Sequence, residues 1–535
     1  MDACMKPSPY ELFPPEVPIV FEKVEMILVP VILSSAVKIR RNCYFSNMIL
    51  DAHNIKNWDS HSIKSKWQSS LYLMENAALS LSQIIHENYR NKNLVILCGS
   101  GNNGGDGYAL ARMLFKVGCR VDVISVLDPK RGSNECNSNY QKLLEIGAPI
   151  SQRNEWSPAK LNPKTIIVDC IFGTGLNRPL EGELLAFIQE INDLPNYKIA
   201  VDLPSGMLAD EYRQPGVVFK ADKTFTLQCF KRCFLNRENL LYTGEISMVD
   251  IGLSKDFKPS HIEGRLITDS YLKNMLSKRN VNSEKRDFGS CLIIGGAKGM
   301  AGAVIMAGKA AWRSGCGLLM ICADEDNRQI IQAALPEAMF ISFEELTLET
   351  IQKARSIVIG PGLGKSQKAK ELLITTLENA PENIVVDADA INIYSSLEEP
   401  PKLPRKSIIT PHKRELERLI GPTHGYEDLL NKQKAFSKFH GVILVSKGPY
   451  TQITDNLGCL LVNTSGNASL AKGGTGDVLA GIIGGLLCFV PKNISAAALG
   501  VYIHGKAADE WVKSGSDGSL SPLDLINLIP TLLKT

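Results

Sequence analysis

The chain has 535 residues, 44% hydrophobic and 21% charged, with a formal net charge of +3. That length exceeds one ordinary core and implies two or three domains, while so small a positive excess marks neither a nucleic-acid binder nor a membrane-surface protein. The 13 cysteines are scattered without a CxxC pair, which excludes an organised disulfide framework or zinc site.

Residues 1–47 are an uninterpreted N-terminal extension. Its apolar run MILVPVILSSAV holds 12 residues, short of the ~20 needed to cross a bilayer. Pro30 interrupts it, and Lys38, Arg40 and Arg41 follow it, the wrong order for a secretory signal. The expectation is a cytoplasmic protein. Cys98 and Cys322 sit in apolar runs and Cys229 and Cys233 lie four apart; all read as reduced, packed thiols.

From Leu94 short apolar runs alternate with helical patterns. LVILC (94–98) precedes a Gly-rich loop, after which Leu110, Met113, Leu114 and Val117 mark one helical face. VDVISV, TIIVD and KIAVD are further strand candidates, so the segment reads as a doubly wound α/β domain with a parallel sheet covered on both faces. Around 250–285 the pattern turns polar, which puts a domain junction near 265. A second α/β alternation follows, with strand candidates CLIIGG, GLLMIC, SIVIG, NIVVD, SIIT and VILVS. The expected division is 1–47, 48–265 and 266–535, with no internal repeat of fixed period.

In the first domain the loop GSGNNGGDG (99–107) lets a backbone approach a ligand and presents a helix N-terminus to an anion. It lacks the G-x-G-x-x-G offset of the dinucleotide fingerprint. Asp169 ends TIIVD and Asp202 ends KIAVD, each before a further loop. Open α/β sheets bind ligands at the carboxyl ends of their strands. Asn103, Asp106, Asp169, Asp202 and Ser205 are therefore expected on one rim, though each alone also reads as a cap or turn former.

YLMENAA, GSGNNGGDGYALAR, IFGTGLNRPL, VDLPSG and ISMVDIG occur in that order over about 48–255. Together they resemble the NAD(P)H-hydrate epimerase family, a Rossmann-like fold. The resemblance implies that two loops cradle the hydrated dinucleotide: Asn102, Asn103, Gly104, Gly105 and Asp106, then Gly173, Thr174, Gly175, Leu176, Asn177 and Arg178. It further implies a potassium site at Asn103, Asp169 and Ser205, with Asp202 contacting substrate. Epimerisation at a hydroxyl-bearing carbon suits a carboxylate acid/base, with Lys231 as a candidate partner. Ala78 departs from the family, which usually has Gly there.

In the second domain AKGGTGDVLAGIIGGLL feeds a Gly loop into an apolar helix. Gly473, Gly474, Thr475 and Gly476 would present N–H groups to a phosphoryl group, and Asp477 in the first turn could take a proton from an attacking hydroxyl. The motif resembles the ribokinase-like superfamily. IIGGAKGMAGA, VIGPGLG, VVDADAIN, ITPHKRE and VSKGPYTQI precede it, and the set resembles the NAD(P)H-hydrate dehydratase family.

That resemblance implies substrate contacts at Ala303, Gly362, His412 and Asp477, a nucleotide-binding stretch from Lys447 and Gly448, and a magnesium- and phosphate-supporting role for Glu415. His412 could equally cap the helix that follows. Arg286 stands where the family usually has Gly. The fusion resembles bacterial and archaeal members, which use ADP. The implied chemistry joins epimerisation of R and S NADH or NADPH hydrate with dehydration of the S form, ADP yielding AMP and phosphate with magnesium at the phosphates. Two rivals stand beside it: a vitamin-precursor kinase on the same fold, and a non-catalytic epimerase-like binding module. Oligomeric state is open, and a homo-oligomer is compatible.

Overall fold

The computed structural model describes residues 47–158, 161–272, 275–276 and 280–533. Nearly all of the N-terminal extension, including its apolar run, lies outside the described residues. Two sheets organise the rest. The first has seven strands, all parallel, ordered Ile150–Gln152, Arg120–Ser125, Asn93–Cys98, Ile166–Cys170, Lys198–Val201, Lys223–Leu227 and Glu245–Val249. Its central strands are apolar and fully buried because helices cover both faces. Chain order reverses between Asn93–Cys98 and Ile166–Cys170, so the loops after these strands diverge and leave a crevice.

The second sheet has 12 strands. Seven run parallel: Met339–Ser342, Leu318–Ala323, Ser290–Ile294, Ser356–Ile359, Ile384–Val386, Ile408–Ile409 and Ile443–Ser446. Their order in the chain is third, second, first, then fourth to seventh, the same as in the first sheet. The two halves thus share a strand order although no repeat is readable in the sequence. The sheet continues antiparallel through Thr451–Thr454 and Leu460–Asn463, which the parallel-sheet reading did not anticipate.

The strand Gly264–Leu266, at the expected junction, pairs with Leu460–Asn463 on one side and Met48–Leu50 on the other. Met48–Leu50 pairs in turn with Phe230–Lys231, with Leu50 opposite Lys231. One continuous sheet therefore crosses from the second half into the first.

In the second half, the helix Thr475–Leu487 packs closely on the helix Ala301–Ser314. A Cβ at Gly481 would lie 2.1 Å from the Ala307 carbonyl oxygen, so glycine there sets the interhelical distance. All the described cysteines but Cys459 are buried. No helix among the described residues is long and apolar enough to cross a membrane.

Candidate functional site

The loop 99–107 closes directly into the helix Asn102–Lys116, whose N-cap is Gly101. Gly104 and Gly105 face protein rather than the crevice. A Cβ at Gly104 would sit 2.1 Å from the Gly99 carbonyl oxygen, and one at Gly105 2.6 Å from the Met74 side chain. Gly104→Ala is expected to destabilise the fold by about 1–3 kcal/mol through overpacking against rigid backbone; a urea midpoint measured with an unchanged slope would read it.

The other loop residues, Asn102, Asn103 and Asp106, line a cavity of about 850 Å³ together with Gly173 to Arg178 and Asp202. That volume suits a dinucleotide-sized ligand. Asp169 and Ser205 lie behind the lining, fully buried. Asp169 Oδ1 accepts from the Ile171 N–H at 3.1 Å and the Ser205 hydroxyl at 2.7 Å, and Oδ2 accepts from the Ser205 N–H at 2.7 Å. Burial pushes Asp169 up to about 6, and these hydrogen bonds pull against it.

Asn103 donates through Nδ2 to the carbonyls of Phe172 at 3.0 Å and Val201 at 3.2 Å, which leaves Oδ1 buried with no partner. Such an orphaned oxygen beside oxygen-rich neighbours is the kind of donor a hard cation takes. Among the described residues no three His, Cys, Asp or Glu side chains form a metal group, so any cation here would rest on mixed oxygen donors.

Asp202 follows the strand Lys198–Val201 and adopts a left-handed backbone with φ of 66°. Its Oδ1 meets Lys231 Nζ at 2.7 Å, and its Oδ2 accepts from Thr174 N–H at 2.9 Å and Thr174 Oγ1 at 2.6 Å. Lys231 is fully buried and also donates to the Leu227 carbonyl at 2.7 Å. Burial opposes both charges. For Asp202 the ammonium, then Thr174, override it and hold the carboxyl below its ordinary range; for Lys231 the carboxylate overrides it and holds the ammonium above.

Two more carboxyls share the cavity. Burial, then Asp202 and Asp59, push Asp106 well up. Asp59, absent from the sequence reading, is pushed to about 7 by burial and Asp202, with Lys231 pulling it down. It comes from the helix Ala52–Ser62, before the first recognisable motif, so no spacing pattern marked it.

In the second half the loops after Ser290–Ile294 and Ser356–Ile359 are tied together by Gly296 N–H to the Pro361 carbonyl at 2.9 Å and Ala297 N–H to the Gly362 carbonyl at 2.7 Å. Gly362 lies against Ala303, 3.1 Å from where its Cβ would stand. Lys447 Nζ meets Asp387 Oδ1 at 3.0 Å, an oxygen that also accepts from Thr410 Oγ1 at 2.7 Å. Gly476 sits close to this lysine, with Nζ 3.6 Å from a built Cβ.

Asp477 is in the first turn of Thr475–Leu487. Burial and the neighbouring Asp387, then Asp389, outweigh Lys447 and raise it to about 7. Asp477, Lys447 and Gly476 thus converge, as do Ala303 and Gly362. Gly473 and Gly448 have open space about them, while Gly474 packs on Met306.

His412 caps the helix Lys413–Ile420, its Nδ1 accepting from Arg414 N–H at 3.1 Å and Glu415 N–H at 3.2 Å. Glu415 Oε2 accepts reciprocally from His412 N–H at 2.8 Å. That capping box engages one oxygen of the carboxylate expected to support magnesium and phosphate. A residue the sequence did not flag, His504, lies buried beneath the loop, hydrogen-bonded to the Thr475 backbone, and desolvation depresses it to about 4.

Comparison with known proteins covers both halves. Residues 291–531 match the NAD(P)H-hydrate dehydratase family, and residues 70–233 match the family described as YjeF-related protein N-terminus. The bifunctional NAD(P)H-hydrate repair enzyme of Moorella thermoacetica is 32% identical over 495 residues, spanning 87% of this chain and 92% of the relative. The enzyme of that name from Escherichia coli is 34% identical over 468 residues, spanning 86% and 89%. A crystallised ADP/ATP-dependent NAD(P)H-hydrate dehydratase from Bacillus subtilis is 30% identical and covers 50% of this chain and 96% of its own, with a TM-score of 0.44.

Proposed function

The chain belongs to the bifunctional NAD(P)H-hydrate repair enzymes, and on that premise we propose how its two sites divide the work. The N-terminal cavity interconverts the R and S hydrates of NADH and NADPH. The C-terminal site dehydrates the S hydrate at the expense of ADP, giving AMP and phosphate. The observation that carries the division is that each half gathers an aspartate and a lysine: Asp202 ion-paired with Lys231, and Asp477 near Lys447.

In the second site Asp477 takes the proton from the hydrate hydroxyl as that oxygen attacks the terminal phosphorus of ADP. Loop N–H groups of Gly473, Gly474, Thr475 and Gly476, at a helix N-terminus, face the transferring group. Lys447 and Gly448 hold the nucleotide, and Ala303, Gly362 and the exposed edge of His412 contact the hydrate. Phosphate then leaves where hydroxide could not, the adjacent ring carbon gives up a proton to form the double bond, and the dihydronicotinamide is restored. Magnesium bound with the nucleotide would supply charge that offsets its phosphates. Asp387 and Asp389, the carboxylates that act on Asp477, would be the oxygen donors for it.

In the first site Asn102, Asn103 and Asp106 together with Gly173 to Arg178 cradle the dinucleotide, Gly104 and Gly105 packing the loop behind them, with Asp202 fixed by Lys231 against it. Asn103, Asp169 and Ser205 fit potassium, on the strength of the unpartnered Asn103 oxygen. Bound there, it would compensate the buried Asp169 charge. Replacing potassium with lithium is expected to slow turnover of the R hydrate alone, and Asn103→Ala to abolish that response; an R-phase rate indifferent to the cation in the unaltered protein defeats the assignment.

The defining experiment mixes the protein with racemic NADH hydrate, magnesium and potassium, with ADP, ATP or neither, and follows dihydronicotinamide absorbance. Recovery of both epimers with ADP, faster than spontaneous exchange, is expected. Recovery of the S half alone would reduce the N-terminal half to a binding module. No recovery with either nucleotide would return the choice to a kinase on the same fold.

A further inference from the structure

We infer that Asp59 is the proton-transferring catalytic residue of the epimerase site, working as a carboxylic acid whose two oxygens serve the hydrate together, while Asp202 positions. The inference rests on the epimerase reading above and deepens it.

The argument begins with what the cavity holds. Of the carboxyls that line it, Asp59, Asp106 and Asp202 are buried or half-buried, while Asp210 and Glu211 are exposed; the lining cations Lys56 and Arg178 are exposed as well, and the buried ammonium, Lys231, is committed to Asp202. One cation cannot balance three carboxylates in a desolvated space, so protons must be retained by the others.

Asp202 is ill placed to move a proton. Both its oxygens are engaged, one by Lys231 and the other by the Thr174 N–H and hydroxyl. Asp106 is packed within the helix Asn102–Lys116, 8% exposed. Asp59 lies half-buried at the cavity wall, more open than Asp106, and unlike Asp202 it has no described residue hydrogen-bonding or ion-pairing with its carboxyl. Both oxygens are free for a ligand.

Its position is nevertheless rigid. On its own helix Trp58 donates to the Ser254 carbonyl at 2.8 Å, and the Ser62 hydroxyl accepts from the Ser254 N–H at 2.9 Å. Asn54 accepts from the Ser260 N–H at 2.9 Å. The helix starts one residue after Met48–Leu50, the strand paired with Phe230–Lys231. Neighbouring strands therefore deliver Asp59 and Lys231 to one site.

The hydrate carries its hydroxyl on the ring carbon bonded to the ring nitrogen, so the two atoms that exchange a proton share one carbon. A protonated carboxyl spans them. Its O–H protonates the nitrogen as the carbon–nitrogen bond breaks, the bonding pair going to nitrogen. Its second oxygen takes the hydroxyl proton as the carbon–oxygen bond becomes a carbonyl. Rotation of the aldehyde and reversal of the step close the ring on the other face. No proton or electron is gained or lost, and Asp59 ends as it began.

The protonated form is the active one, so epimerisation weakens as pH rises through the range in which Asp59 ionises, about 7. The charged groups facing it in the cavity are Lys56 on its own helix, and Asp106, Arg178, Asp202, Asp210 and Glu211 from the others, with Lys231 behind Asp202 and His53 at the rim.

The test uses the full chain with racemic hydrate and ADP, so that dehydration of the S half reports folding within each reaction. For Asp59→Asn the S phase is expected to stay within roughly twofold, and the R phase to fall about 100-fold or to the spontaneous rate. The alkaline decline of the R phase disappears with it, and Asp59→Glu restores part of the rate. An Asp59→Asn protein whose R phase stays within roughly threefold overturns the proposal. So does one whose loss lies wholly in KM with the alkaline decline intact. If the unaltered protein shows no R phase, the epimerase reading itself has failed, a result distinct from either.

Discussion

Asp477→Asn removes dehydration of the S hydrate and leaves the fold intact. The amide keeps the shape of the first helical turn but cannot take a proton, and loss of a general base lowers the rate by about 10²–10⁴-fold. The pH dependence follows from the same burial. Asp477 must be ionised to accept a proton and is raised to about 7, so kcat/KM in the unaltered protein climbs as pH rises through that value.

Stability moves the other way. A carboxyl raised in the folded state binds its proton more tightly there than in the unfolded chain. Folding therefore weakens as pH rises from the ordinary carboxylate range through about 7. Asp477→Asn removes that weakening, so its melting temperature should exceed that of the unaltered protein more at pH 8 than at pH 5. Retention of a tenth or more of the S-phase rate would falsify the assignment of Asp477 as base.

Lys231→Met produces the second large effect. The lysine is fully buried, and its removal leaves the Asp202 carboxyl desolvated without its cation. Breaking such a pair costs about 3–5 kcal/mol, and R-hydrate turnover should disappear with the orientation of Asp202. The double variant Asp202→Asn with Lys231→Met removes both charges. It should recover most of the stability in urea unfolding without recovering epimerisation. Equal destabilisation in single and double variants would mean that Lys231 matters for packing rather than for charge.

Much of this is legible in the amino-acid sequence. LVILC, TIIVD, CLIIGG and SIVIG are strands because continuous apolar runs are stable only between helical layers. The Gly-Gly-x-Gly-Asp loop opens a helix as expected. The strands Met48–Leu50, Phe230–Lys231 and Gly264–Leu266 were not readable: two or three residues carry no periodicity, and their pairing partners lie far along the chain. Glu415 was assigned to magnesium and phosphate by its match to an acid of a known superfamily, and its spacing from His412 also makes the capping box that the structure shows.

The amino-acid sequence by itself determined two parallel α/β halves, the loops at their switch points and the order of the motifs, since these depend on local patterning and short-range turns. Only the tertiary structure decided that Lys231 is a buried partner and not a surface lysine. It alone brought Asp59 into the cavity of Asp202, and it alone joined the halves through one sheet. These depend on desolvation and on pairing between distant segments, and neither leaves a periodic trace in the chain.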